Sequence, residues 1–114
     1  MPFARGRLDH PDTAPGAGEH VHRLAELGHA VVDQILSGVL DGPVEYEQDV
    51  DEWVVVLHGE ATLDVEDERM HLQPGDWVLL PAGTRHRLVE TAPGTNWLTV
   101  TGMPTTTSPT PSSA

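Results

Sequence analysis

At 114 residues the chain is the size of one domain, long enough to bury a core without covalent staples. A formal net charge of −12, with only six Lys and Arg, argues against nucleic acid and against an anionic membrane surface as partners. The absence of cysteine excludes disulfides, thiolate metal sites and cysteine nucleophiles. Serine occurs only at Ser37 and near the carboxyl terminus, so a Ser-His-acid triad has no nucleophile. No apolar stretch follows the early arginines and no long apolar run occurs anywhere, so a cytoplasmic protein is expected.

Residues 1–18 are rich in Pro, Gly and Asp and show no periodicity, which predicts an irregular arm. Glu19 to Leu27 is ambiguous: Val21, Leu24 and Ala25 suit one helical turn, but the segment is short, and Gly28 ends it. Ala30 to Leu36 has the β-branched enrichment of a strand, and Asp41-Gly42-Pro43 is a turn. Val44 to Leu57 is the longest strand-like span, interrupted by the acidic stretch from Gln48 to Asp51. Within it, Trp53 to Leu57 is apolar on both faces. His58-Gly59-Glu60 turns into Ala61 to Val65, whose alternation marks a half-buried strand, and Arg69 to Leu72 returns from an acidic tip.

Gly75 to His86 carries the strongest local signals. Gln73-Pro74-Gly75 is a tight turn, Trp77 to Leu80 reads as a strand covered on both faces, and Pro81-Ala82-Gly83 turns the chain into a return strand from Arg85 to Glu90. His86 starts that strand. A loop with Pro93-Gly94 precedes a last strand from Asn96 to Thr101, and residues 103–114 read as a disordered Pro/Ser/Thr tail. Short strands punctuated by Gly and Pro, with no helices long enough for βαβ units, predict an all-β sandwich or barrel over 19–102.

Two motifs resemble those of the cupin superfamily. Its second motif is glycine, five residues, proline, one residue, glycine, two residues, histidine, three residues, asparagine; Gly75, Pro81, Gly83 and His86 match, with Glu90 in place of asparagine. Its first motif sets two histidines around one residue, then three or four residues, a glutamate, six residues and a glycine. Glu52 and Gly59 match, but the histidines are replaced by Tyr46 and Gln48 in the shorter spacing, or by Glu45 and Glu47 in the longer. The resemblance implies a double-stranded β-helix, a jelly-roll barrel, over most of the chain. The Gln48-x-x-x-Glu52-Trp53 pattern is similar to that of a cupin subgroup and favours the shorter spacing.

On an unbroken strand, Tyr46, Gln48 and Glu52 share one face, and the resemblance brings His86 from the strand opposite. Gln48, Glu52 and His86 then form an expected site for a divalent transition metal (zinc, iron, manganese or nickel), with Tyr46 completing it or orienting a water. Glu52, His86 and Tyr46 are the expected catalytic groups. Glu90 shares His86's face by parity, whereas Arg85 and Arg87 face away. His20, His22 and His29 lie in the ambiguous amino-terminal region, where His20-x-His22 has a metal spacing without a supporting frame, and His58 and His71 read as surface. Trp53, with Val55 and Leu57, falls outside the barrel if Glu52 is inside, which suggests a packed second layer or a homodimer. The resemblance implies a small metal-dependent enzyme on a small organic molecule: an isomerase or cyclase, a lyase or a dioxygenase, with non-redox Lewis-acid chemistry preferred. A metal-free acid/base enzyme and a non-catalytic binding or sensing module are the alternatives.

Overall fold

A computed structural model describes residues 3–102. It contains nine strands: β1 Glu19–Glu26, β2 Ala30–Ser37, β3 Val44–Glu47, β4 Glu52–His58, β5 Ala61–Val65, β6 Glu68–Leu72, β7 Trp77–Leu80, β8 Arg85–Thr91 and β9 Thr95–Gly102. They form two sheets, ordered β1-β2-β9-β4-β7 and β3-β8-β5-β6, with every neighbouring pair antiparallel. The expected all-β jelly-roll barrel is what the chain adopts.

Alternation along the strands builds the core. Val54 and Val56 of β4, Ala61 and Leu63 of β5, Leu88 of β8 and Trp97 of β9 are buried between the sheets, and Leu72 closes one end. Full burial of each large side chain contributes roughly 1.5–3 kcal/mol, so these residues carry most of the hydrophobic stabilisation. Gly59 lets the β4–β5 hairpin pass against β9. Its φ is +89°, and a Cβ there would sit 2.5 Å from Thr95 Oγ1 and 2.7 Å from Thr95 Cα. Gly75, at φ +95°, closes the next turn, where Asp76 N–H donates to Gln73 O and Gln73 N–H donates to the Asp76 carboxylate, both at 2.9 Å.

Several local expectations change. Residues 19–26 form a strand rather than a helical turn, because β1 pairs with β2 from Glu19↔Ser37 to Glu26↔Val31 and tertiary pairing overrides a weak local preference. The break read at Gln48 to Asp51 is present, but the chain crosses there from one sheet to the other, so Val44 to Leu57 is two strands in different sheets. β7 is covered on one face only: it is a sheet edge, and Trp77 and Leu79 are 60% and 55% exposed. The arm is irregular apart from a 3-10 turn at Pro11–Thr13, yet it is anchored. Gln34, wholly buried, accepts from Asp9 N–H at 2.8 Å and donates to Asp9 O and Asn96 Oδ1, both at 2.9 Å. The tail expected over 103–114 lies outside the described residues.

Candidate functional site

A cavity of about 370 Å³ opens between the two sheets. Glu52 enters it from the start of β4, in the same alternation that buries Val54 and Val56. His86 and Tyr46 enter from the opposite sheet, paired directly across β8 and β3. Gln48 follows β3 on the crossover and lines the same space. The turn after β7 is tied to that crossover. Gly83 N–H donates to Gln48 O at 2.7 Å, and Ala82 N–H donates to Asp51 Oδ1 at 2.9 Å. The Pro81–Gly83 turn therefore fixes where both Gln48 and His86 sit.

His86 is 6% exposed. Its Nδ1 lies 3.1 Å from Thr84 O, and a carbonyl can only accept, so Nδ1 carries the proton. Nε2 is left as an acceptor facing the cavity, 3.8 Å from Glu52 Oε1 and without a hydrogen bond. The Tyr46 ring stacks on the imidazole, with centroids 5.3 Å apart and planes 16° from parallel. Tyr46 Oη donates to Glu19 Oε1 at 3.2 Å, Ser37 Oγ donates to Glu19 Oε2 at 2.8 Å, and Trp97 Nε1 donates to Ser37 Oγ at 3.0 Å. Burial, reinforced by the Glu19 carboxylate, pushes the Tyr46 hydroxyl up to about 12. Burial also raises the Glu52 carboxyl above its usual range. The charges of Glu19 and Asp33 add to that rise, while His86 and the Gln48 amide oppose it.

Tyr46, Gln48, Glu52 and His86 thus share one cavity, although the strand carrying the first three is broken. Glu45 and Glu47 are exposed, opposite Arg87 and Arg85 on the outer face. Glu90 does not reach the cavity. A bulge sets Thr62 opposite Glu90 but Leu63 opposite Leu88, which reverses the parity beyond Leu88. Arg87, with Arg69, holds Asp64 outside at 2.9 Å and 2.7 Å and keeps that carboxyl well below the usual range. His22 pairs with Asp9 at 3.1 Å and His71 with Glu60 at 2.8 Å, both away from the cavity.

Sequence reasoning missed Glu19, Arg23 and Asp33, which also line the cavity. Arg23 Nε donates to Asp33 Oδ1 at 2.6 Å, and its Nη1 lies 3.3 Å from Glu26. Asp33 had a usable signal: a carboxylate on the same face as Val31 and Ile35 in an apolar strand. Glu19 and Arg23 had none, because β1 lacks apolar alternation.

Among the described residues, no group of three His, Cys, Asp or Glu side chains is placed to share an ion. The set here is two such groups and an amide: the free Nε2 of His86, the Glu52 carboxylate and Gln48. The 3.8 Å between nitrogen and oxygen is within the reach of two ligands that each bind at about 2.0–2.2 Å. The His86 Nδ1–H held by a carbonyl is also the usual support of a metal-binding imidazole. The donors fit a divalent ion held by few protein ligands.

A cupin-domain family model matches residues 33–100. A candidate mannose-6-phosphate isomerase from Ralstonia eutropha JMP134 is similar at 28% identity and a TM-score of 0.68, over 87% of this chain and 100% of that one. KdgF from a Halomonas species is 20% identical with a TM-score of 0.67, over 87% of this chain and 89% of its own. A cupin superfamily protein from Desulfitobacterium hafniense DCB-2 is 24% identical with a TM-score of 0.67, over 91% and 95% of the two chains. No curated protein matches the chain.

Proposed function

The chain belongs to the cupin superfamily, and from that premise we propose that it is a small metal-assisted enzyme acting on a small organic molecule inside the barrel. The observation that carries this reading is the convergence of an unpartnered imidazole nitrogen and a buried carboxylate, 3.8 Å apart, from opposite sheets. Gln48, Glu52 and His86 would hold the ion, which when bound supplies Lewis-acid polarisation of a carbonyl or hydroxyl oxygen. In the absence of the ion Glu52 has a raised affinity for a proton; with the ion bound it would serve as a ligand. Tyr46, pushed up to about 12, stays protonated; it orients Glu19 and packs the imidazole rather than acting as a base. Such a set suits proton transfer between neighbouring positions, the chemistry of isomerases and lyases. The name of the Ralstonia neighbour is of that class.

Elemental analysis of the purified protein tests the reading. Close to one transition metal per chain is expected, and it should fall together with turnover in Gln48→Ala and His86→Ala. The raised carboxyl of Glu52 favours a second reading, acid/base catalysis without metal. Full activity after chelation, with a bell-shaped dependence on pH, would select it. We assign a second copy of this chain to the outer apolar strip of Trp53, Trp77 and Leu79. β7 is a free antiparallel edge, so two copies related by a two-fold axis can join there with the same residues on both sides. Among the described residues no helix is long and apolar enough to cross a membrane, and action in the cytoplasm is part of the proposal.

A further inference from the structure

Thr84 O holds one edge of the His86 ring, and the Tyr46 ring covers one face of it. Tyr46 belongs to β3, a four-residue edge strand hydrogen-bonded only to β8, and the other three residues of β3 are exposed. Strand pairing alone therefore leaves this edge, and the ring it carries, weakly held. A second attachment comes from the opposite sheet. Tyr46 Oη donates to Glu19 Oε1 at 3.2 Å, a bond from β3 to β1 that ties the two sheets together beside the imidazole.

Glu19 is itself fixed. Ser37, its partner in the β1–β2 ladder, is wholly buried and donates to Glu19 Oε2 at 2.8 Å. The buried Trp97 indole donates to Ser37 Oγ at 3.0 Å. An indole N–H can only donate, so it occupies a lone pair of Ser37 and leaves the hydroxyl proton for Glu19. The chain of bonds thus runs from both sides into one carboxylate, with one oxygen for Ser37 and the other for Tyr46. An amide in its place offers one acceptor oxygen and turns a donor towards one of the two hydroxyls. We propose that Glu19 is a positioning residue of the site: through Tyr46 it holds the His86 imidazole of one sheet opposite the Glu52 carboxylate of the other. The 3.8 Å between Nε2 and Oε1 is set across two sheets, and a tether between those sheets next to the ring governs it. This inference rests on the reading that His86 and Glu52 are the working pair of the cavity.

The test compares Glu19→Gln, Tyr46→Phe and the double variant with the wild type, all as full chains. Tyr46→Phe keeps the stacked ring and the Glu19 charge and removes only the bond between them, so it separates positioning from electrostatic attraction of a cation. In chelator-treated protein, solvent exchange of the His86 Nδ1–H is followed by NMR. Each single variant should quicken it about tenfold. The double variant should be no faster than either alone, since both changes cut the same tether. Zinc affinity, titrated on the same samples, should fall about tenfold in each single variant and no further in the double. Gly59→Ala, which strains a hairpin elsewhere, should leave both readouts at wild-type values and so excludes a general loss of stability as the cause. Should Glu19→Gln fail to fold, Tyr46→Phe decides alone. Unchanged exchange in Tyr46→Phe, additive effects in the double variant, or variants that match a zinc-binding wild type in affinity would overturn the proposal. A wild type that binds no zinc, while both single variants loosen the ring, would instead remove the metal reading and support the role of Glu19.

Discussion

Glu52 has more to gain from a proton than an exposed glutamate does. Burial disfavours its charge, and the Glu19 and Asp33 carboxylates on the same sheet add to the cost. A carboxyl raised in the folded state contributes stability that is fully present below the unfolded value and is lost as pH rises through the folded one. Glu52→Gln, which imitates the protonated form, should therefore raise the thermal midpoint of chelator-treated protein more at pH 8 than at pH 4, while abolishing turnover. An unchanged or lower midpoint at pH 8 would contradict the assigned environment. Tyr46 gives a second measurement, since it is the only tyrosine and its phenolate absorbance is unambiguous. Its midpoint should lie near 12 and move towards 10 in Glu19→Gln. Stability tied to the neutral phenol is held below pH 10 and lost as pH climbs towards 12. Of the residues at this cavity, His86 and Glu52 were legible because turn residues frame each at a fixed spacing. Glu19 and Arg23 were not, because an edge strand with polar residues on both faces has no period to read.

Elements were legible where glycine and proline punctuate them and illegible where long-range pairing decides. The turns at Gly59, Gly75 and Gly83 all have positive φ, and all were readable in the sequence. Gly59 is the most constrained of them, because any side chain there meets Thr95. Gly59→Ala should destabilise the domain by about 1–3 kcal/mol in urea unfolding; a loss within 0.5 kcal/mol, roughly the size of a surface substitution, would mean that the hairpin relaxes freely. The bulge before Glu90, and the crossing between sheets at the break read over residues 48–51, were invisible for a common reason. Both depend on which strand lies alongside, and a parity count assumes that nothing interrupts the ladder. The Gln34 amide, buried on the outer face of its sheet, ties the residues before β1 down at Asp9. A glutamine inside a strand pattern carries no indication of that partner.

At the scale of the molecule, one sheet turns an apolar face outward at its edge. Trp53 and Trp77 lie with ring centroids 6.2 Å apart, and Trp77, Leu79 and Leu57 are 60%, 55% and 38% exposed. The outward placement of Trp53, Val55 and Leu57 followed from alternation with Glu52. The exposure of β7 did not, because a continuous apolar run reads as buried whether or not anything covers it. If a second copy covers this strip, light scattering should report a dimer, and Trp77→Glu should give a monomer with its cavity intact. A wild-type monomer at micromolar concentration would remove that assignment. The cavity itself depends on both sheets meeting correctly, with β4 supplying the carboxylate and β8 the imidazole. The most direct test of that convergence is zinc titration of histidine-15N-labelled protein by NMR. Among the seven histidines, the Nε2 signal of His86 should shift through the first equivalent, and Glu52→Gln should remove most of the response. A His86 signal that ignores zinc, or one that responds identically without the Glu52 carboxylate, would contradict it.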